Sequence, residues 1–281
     1  MDIPFIKMHS SGNDYILLDC TRLQKRREEL FSYSFISPAS ARRFGVGSDG
    51  VIAVMSSDDA DAEIRAFLSD GREEILNINA LMCTSKFLYE GKNLSKDFIT
   101  VQTKAGVKKI TPFGNGKIMS SCEVEAGKAD FVPFSTSRLK KEGKIRFDNC
   151  LLDFYCVSLG DLYGAVFCED VSCANTKKIG TALSRKISVS SSVDTVLVQD
   201  TGIGSIKMRF IKSGCGEILS CAAGACCGIA ACIKKKICKK DVYIPVETTG
   251  GIFHIRCDGE YNLSVIGECE KVYDGIYEWN I

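Results

Sequence analysis

Short runs in which apolar and polar residues alternate dominate this chain, and turn residues separate them in pairs. Such pairs predict β-hairpins, because successive side chains of a strand point to opposite faces of a sheet. The predicted strands cover residues 61–67 before a turn at 70–71, 107–112 with 117–120, 193–198 with 206–211, and 252–256 with 262–266. Helical patterns are fewer, at residues 38–43, 81–89, 177–183 and 222–235. The pattern predicts an α+β fold that consists mainly of antiparallel strands.

The most informative stretch is a short run of small apolar residues, 222–233, directly after Cys221. A run that is apolar on every side predicts a buried helix. Cys221 would then lie at the N-terminal end of that helix, where the dipole and the free N–H groups stabilise a thiolate. The same N–H groups can bind a carboxylate. A thiolate beside a carboxylate site is suited to removing a proton from the adjacent carbon.

A second stretch, residues 77–83, aligns weakly with residues 221–227, and each of the two segments comes just before a helical pattern. We predict that the first helix begins near Asn79 as its N-cap and ends before Gly91. The buried stripe of this helix is predicted to contain Ala80, Cys83, Phe87 and Leu88.

Composition and charge restrict the class of protein. A length of 281 residues is typical of two domains. The net charge of +1 argues against a nucleic-acid partner. We interpret the basic run 234–240 as the solvent-exposed C-terminal end of the predicted helix. No apolar stretch is long enough to span a bilayer, and residues 1–4 lack the features of a signal peptide. We therefore expect a cytosolic protein without a membrane partner.

The 15 cysteines are expected to be reduced thiols in that compartment. Cys156, Cys168 and Cys257 lie in strand-like apolar runs, which favours a core location. The chain has only two histidines and no C-x-x-C pair, so we predict no metal site.

Five segments in order resemble the diaminopimelate epimerase family of amino-acid racemases, and they extend over nearly the whole chain. They are residues 7–15 (KMHSSGNDY), 43–50 (RFGVGSDG), 103–106 (TKAG), 214–225 (GCGEILSCAAGA), and 265–267 with 272–275 (VIG and VYDG). The resemblance implies two similar domains of mixed, mainly antiparallel sheet, each around a central helix, with a cleft between them. It places residues 1–122 and 270–281 in the N-terminal domain and 123–269 in the C-terminal domain. It also implies catalysis without a cofactor and is consistent with a homodimer.

The family uses two cysteines, one from each domain, on opposite sides of the substrate α-carbon. Cys221 matches the second of them. Residues 70–83 (DGREEILNINALMC) match the segment of the first without a gap, and Asn77 occupies the catalytic position. Asparagine has no titratable group near neutral pH and cannot act as a general base. Cys83 matches a non-catalytic cysteine of the family.

The resemblance also points to substrate-binding positions, of which only some are kept. Asn13 and Asn79 are kept, whereas Leu68 stands in place of an Asn. Asp161 and Asp194 each replace an Asn, Tyr163 replaces a His, and Ser213 replaces an Arg. The full set of candidate substrate-binding residues is Asn13, Ile78, Asn79, Ala80, Asp161, Tyr163, Asp194, Lys212, Ser213, Ala222 and Ala223.

These replacements disfavour diaminopimelate, because two added acids would repel a bound carboxylate and the family's Arg is absent. A cationic or neutral amino acid fits better, since Asp161 and Asp194 could pair with an ammonium group. Lys212 is expected to be solvated. We expect a divergent racemase with Cys221 as its base and Tyr163 or Ser69 as candidate proton donors. The alternative is a non-catalytic paralogue that binds a small molecule or a protein.

Overall fold

The computed structural model describes residues 1–21, 27–94, 96–131, 142–147, 150–187 and 193–279. Its contacts divide the chain into two compact units, Met1–Val124 with Gly267–Ile281 and Glu125–Ile266. These boundaries lie within a few residues of those expected from the sequence.

Strands provide most of the regular structure. In chain order they are β1 (Asp2–Ser10), β2 (Asn13–Asp19), β3 (Gly50–Met55), β4 (Ala62–Leu68), β5 (Ile99–Thr103), β6 (Gly106–Asn115), β7 (Ile118–Lys128), β8 (Glu142–Phe147), β9 (Cys150–Leu159), β10 (Asp161–Phe167), β11 (Asp194–Asp200), β12 (Ile206–Lys212), β13 (Gly216–Ile218), β14 (Ile244–Thr248), β15 (Gly251–Cys257), β16 (Asn262–Glu268) and β17 (Glu270–Glu278). The helices are α1 (Arg27–Leu30), α2 (Tyr33–Ser40), α3 (Ile78–Lys86), α4 (Thr176–Ile187) and α5 (Ala222–Lys234), and a π-helical turn, Phe87–Gly91, extends α3.

The two units share one order of strand pairing. In the N-terminal unit β1/β2 is antiparallel, β2/β3 parallel, β3/β4 antiparallel, β4/β5 parallel, and β5/β6 and β6/β7 antiparallel. The C-terminal unit repeats this order with β9, β10, β11, β12, β14, β15 and β16. In addition, β17 pairs with β1, and β8 pairs with β9. The predicted α+β fold of two similar, mainly antiparallel domains is therefore confirmed.

A repeated ion pair supports the same duplication. Arg65 makes two hydrogen bonds to Glu73, of 2.9 and 2.7 Å, and Arg209 makes two to Glu217, of 2.6 and 2.9 Å. The backbone pairing of Phe67 with Glu73 also recurs between Ile211 and Glu217. Along the sequence, each of these residues is as far from its counterpart in the other unit as Asn77 is from Cys221. The turn before each central helix is thus built in the same way.

Each unit is centred on one buried helix. Every residue of 222–233 is buried, as the apolar run predicted. In α3, residues 78–85 are buried, and the predicted stripe through Ala80, Cys83, Phe87 and Leu88 is confirmed. The helix α3 packs on β1, β2 and β6, while α5 packs on β9, β11 and β15. A helix that sheet surrounds can use small apolar residues on all faces because none of them meets water.

The structure differs from the sequence prediction in several elements. The helix predicted at 38–43 is α2, which begins at Tyr33 and keeps Pro38 near its end. The four-residue helix α1 was not predicted, because one helical turn leaves little periodic signal. Residues 135–144 were predicted to form a loop; 142–144 belong to β8, and 135–141 lie outside the described residues.

Replacement of Arg209 by Ala should lower the free energy of unfolding by about 1–3 kcal/mol, because Arg209 also donates to the carbonyl oxygens of Val171 and Ala174. Urea denaturation of Arg209→Ala measures this loss. Lys207→Ala is the matched control, since Lys207 is more exposed and its ion pair with Glu247 is 3.6 Å long. Equal stability of the two variants would contradict the structural role of Arg209.

Candidate active site at two helix N-termini

In the N-terminal unit, Asn77 is the N-cap of α3. Its Oδ1 accepts a hydrogen bond of 2.8 Å from the Ala80 N–H and one of 3.1 Å from the Tyr15 hydroxyl. The predicted cap, Asn79, was therefore wrong by two residues. Asn79 lies inside the helix, buried, and its amide donates to the Ser10 carbonyl oxygen at 3.2 Å. Asparagine caps helices well, so the position of each residue relative to the turn decides which of the two is the cap.

In the C-terminal unit, Cys221 is the N-cap of α5, as the sequence predicted. Its Sγ accepts a hydrogen bond of 3.4 Å from the Gly224 N–H, and the Tyr163 hydroxyl lies 3.9 Å from the same sulfur. A Cβ on Gly224 would lie 3.3 Å from that sulfur and 3.1 Å from the Phe210 ring. Glycine at this position thus lets the helix N-terminus approach the thiol closely.

The two caps have matching surroundings. Tyr15 is the third residue of β2 and Tyr163 the third residue of β10, and each tyrosine hydroxyl contacts the capping side chain of its own unit. Both rings are almost fully buried. Burial raises the pKa of Tyr15 well above its ordinary value, and the nearby Glu74 raises it further. Tyr15 is therefore a neutral hydrogen-bond donor to Asn77.

Glu74 was not singled out by the sequence. Its side chain lies beside the first cap, with Oε2 2.5 Å from Asn77 Nδ2, and the residue is only 8% exposed. The repeat places Ile218 at the equivalent position of the C-terminal unit. At these aligned positions, the unit whose cap lacks a thiol has a carboxyl group and the unit whose cap is a thiol has an apolar side chain. The contrast between Glu and Ile at aligned positions was the available sequence signal.

The other candidate residues of the N-terminal unit are buried around the start of α3. Ile78 and Ala80 form its first turn, and Asn13 opens β2. Ser69 is half-buried, and its backbone N–H donates a hydrogen bond to the Asp49 carbonyl oxygen. Ser69 is thus held in the turn after β4.

The candidate acids of the C-terminal unit differ from expectation. Asp194 Oδ2 lies 3.2 Å from Lys212 Nζ, and its Oδ1 accepts a hydrogen bond of 2.9 Å from the Ser213 N–H. The expectation that Lys212 is solvated was wrong, because its side chain is 8% exposed and paired. Asp194 is therefore committed to an internal ion pair and does not offer a free charge to a substrate ammonium. Asp161, at the start of β10, is half-buried.

The remaining candidates of this unit, Ala222 and Ala223, form the first turn of α5, and both are buried. The N-terminus of α5, which carries the positive end of the helix dipole, lies next to Cys221. Such a helix end can bind an anion.

A partly buried charge cluster, which the sequence did not suggest, fixes the start of β2. Asp14 accepts hydrogen bonds from Lys7 and from Arg42, and Arg42 also binds Asp49 at 2.6 Å. Burial disfavours ionisation of Asp14, but the bonds from Arg42 and Lys7 outweigh it and lower its pKa. Burial and the charge of Asp14 raise the pKa of Asp49. These paired charges hold the strand that carries Tyr15.

All 15 cysteines lie among the described residues and are free thiols. Burial raises the pKa of Cys83, Cys226 and Cys227, and it raises that of Cys156 to about 12. Cys83 therefore cannot stand in for the missing thiol. Within the described ranges, no three His, Cys, Asp or Glu side chains are grouped so as to hold a metal ion. No helix in the same ranges has the length and apolar character to cross a membrane.

Comparison with known proteins agrees with the fold. Residues 5–132 match the diaminopimelate epimerase family. A diaminopimelate epimerase from Methanococcus maripaludis is 34% identical over 280 residues, which cover 96% of this chain and 98% of that protein. One from Agathobacter rectalis is 29% identical and covers 96% and 98% of the respective chains. The chain belongs to the diaminopimelate epimerase family and is a racemase/epimerase-like isomerase.

Solved structures show the same fold at low sequence identity. A hydroxyproline epimerase from Agrobacterium vitis, with bound trans-4-hydroxy-L-proline, superposes with a TM-score of 0.77 at 12% identity, covering 98% of this chain and 92% of that one. A phenazine biosynthesis protein of the PhzF family from Bacillus anthracis gives a TM-score of 0.70 at 16% identity, covering 98% and 99%.

Iodoacetamide at neutral pH should label Cys221 faster than the other buried thiols, because its sulfur faces a helix N-terminus. The exposed thiols of Cys150, Cys173 and Cys215 serve as the fast reference, and Cys156 serves as the slow one. Peptide mapping by mass spectrometry after short pulses gives each rate. Labelling of Cys221 as slow as that of Cys156 would identify it as a packed core residue.

Asp194→Asn should destabilise the protein by about 2–4 kcal/mol, because it leaves the Lys212 ammonium buried without its partner. A second change, Lys212→Met, should recover most of that loss. Denaturant unfolding measures both effects. Asp241→Asn is the control, because its ion pair with Arg256 is exposed. A small loss at Asp194 with no recovery in the double variant would show that the pair is unimportant.

Proposed function

We propose that this chain is a divergent amino-acid racemase or epimerase that works without a cofactor and uses Cys221 as the base at the substrate α-carbon. The observation that carries the proposal is the position of Cys221 at the N-cap of α5, with its sulfur 3.4 Å from the Gly224 N–H. That N–H and the helix dipole stabilise a thiolate.

The chemistry follows from the same helix end. The N-terminus of α5, with the Ala223 N–H in its first turn, can bind the substrate carboxylate and stabilise the charge that develops when the α-proton leaves. The Cα–H bond breaks, its proton moves to Cys221 Sγ, and the electron pair stays on the substrate. Tyr163, 3.9 Å from the sulfur, can hydrogen-bond to the thiolate and fix its orientation.

We further propose that the substrate is not diaminopimelate but a cationic or neutral amino acid. Ser213 is short and uncharged where the family resemblance implies an Arg, and Asp161 is an acid in place of an Asn. Lys212 neutralises Asp194, so we assign the preference for a substrate ammonium to the carboxylate of Asp161. A cytosolic location and a homodimer, both expected from the sequence, stay part of this proposal.

The alternative function is binding without catalysis, to a small molecule or a protein partner. Asn77 favours it, because an amide replaces one of two proton-transfer groups. Cys221 would then serve as a small packed N-cap, in agreement with its 7% exposure.

Incubation in heavy water separates the two functions. With a racemase, at least one amino acid from a panel of lysine, ornithine, arginine, histidine, alanine and proline should gain an α-deuteron, while diaminopimelate should be epimerised little or not at all. Cys221→Ser should abolish the exchange, since a hydroxyl is a far weaker base than a thiolate at neutral pH. Mass spectrometry and chiral chromatography measure exchange and inversion.

Cys215→Ser is the matched control, because Cys215 is an exposed thiol in the same segment. Absence of exchange across the whole panel would favour the binding function. Rapid epimerisation of diaminopimelate would refute the proposed substrate class.

A further inference from the structure

We infer that Glu74 is the proton-transfer group of the N-terminal unit and takes the place of the thiol that Asn77 lacks. The inference rests on the proposed racemase function. Its basis is the contact between the Glu74 carboxyl and the cap of α3, where Oε2 lies 2.5 Å from Asn77 Nδ2.

The amide of Asn77 has a fixed orientation, which explains why it cannot supply the missing function itself. Its oxygen accepts from the Ala80 N–H and the Tyr15 hydroxyl, so its nitrogen must face Glu74. An amide nitrogen donates hydrogen bonds but neither gives nor takes a proton near neutral pH. The nearest group that can do so across this hydrogen bond is the Glu74 carboxyl.

Glu74 is also suited to the role by its setting. It is 8% exposed, and a backbone hydrogen bond of 2.9 Å from its N–H to the Ala66 carbonyl oxygen holds the turn that carries it. The neighbouring Glu73 points its charge elsewhere, into the ion pair with Arg65. Two adjacent acids therefore have separate tasks, one in the framework of the turn and one beside the cap.

The duplication provides the strongest comparison. The two units share the Arg–Glu pair of the turn, the tyrosine on the second strand, and the side-chain cap of the central helix. They differ at the cap, Asn77 against Cys221, and at the residue three positions earlier, Glu74 against Ile218. At these two positions each unit therefore has one side chain that can transfer a proton, Glu74 in the N-terminal unit and Cys221 in the C-terminal unit. This is the arrangement that a reaction with two proton transfers requires.

The proposed step balances without any further reactant. The Glu74 carboxylate takes the proton of the substrate α-carbon and becomes a carboxyl group, while the electron pair stays on the substrate. In the reverse direction the carboxyl group returns a proton to that carbon, and exchange with solvent replaces the hydrogen that it carries. A thiolate is a stronger base than a carboxylate, because a thiol has a pKa of about 8.5 and a carboxyl of about 4.3. Deuterium exchange through Cys221 should therefore be the faster of the two.

Glu74→Gln tests this inference, because Gln can still accept the hydrogen bond from Asn77 but carries no exchangeable acid proton. With the best substrate of the amino-acid panel, inversion should fall by about 100-fold or more. Exchange into the enantiomer that Cys221 deprotonates should stay within a few fold of the wild-type rate, which also shows that the variant is folded. Glu74→Asp should recover part of the inversion.

Asp70→Asn is the control, since it removes an exposed acid from the same turn. Inversion by Glu74→Gln at the wild-type rate, with exchange still dependent on Cys221, would overturn the role of Glu74 and leave the racemase function intact. Absence of exchange in the wild-type protein would overturn both.

Discussion

Each unit depends on one hydrogen bond at the start of its buried helix. The first N–H groups of a helix have no partner within it, and burial of an unpaired N–H costs about 1–3 kcal/mol. In α3 the Asn77 amide oxygen accepts that bond, and in α5 the Cys221 sulfur accepts it. The residue at this position is therefore constrained by folding before it is constrained by chemistry. A thiol can serve both folding and chemistry, but its sulfur accepts the hydrogen bond of the helix cap only weakly.

That double constraint explains how a duplicated framework can diverge at one position. Asparagine is among the best N-caps, whereas sulfur is a weak hydrogen-bond acceptor. Asparagine at position 77 therefore favours the stability of α3 but provides no nucleophile. In the C-terminal unit the poorer cap is tolerated because α5 is buried over its whole apolar length and Tyr163 also contacts the sulfur. Stability and reactivity are thus divided unequally between the two repeats.

Much of the fold could be predicted because periodicity carries it. The hairpins, the buried run 222–233 and the position of Cys221 followed from local patterns. Lys212 was misjudged because lysine usually faces solvent, although its spacing from Ile206, Met208 and Phe210 on β12 marked the buried face. The choice of Asn77 over Asn79 as cap depends on where the turn ends, which two neighbouring asparagines do not reveal. Glu74 and Asn77 are three residues apart, and the contact between their side chains depends on the shape of the turn that joins them.

Electrostatics then separates the two caps further. Around Asn77, the buried neighbours include a carboxyl group at Glu74 and a tyrosine whose pKa is raised by burial and by that carboxyl. The sulfur of Cys221 contacts the Gly224 N–H and the Tyr163 hydroxyl. Both caps lie at the positive end of a helix dipole, but the Glu74 carboxyl opposes an added negative charge beside Asn77. A neutral amide therefore suits the first cap, and the hydrogen bond from the Gly224 N–H favours a thiolate at the second.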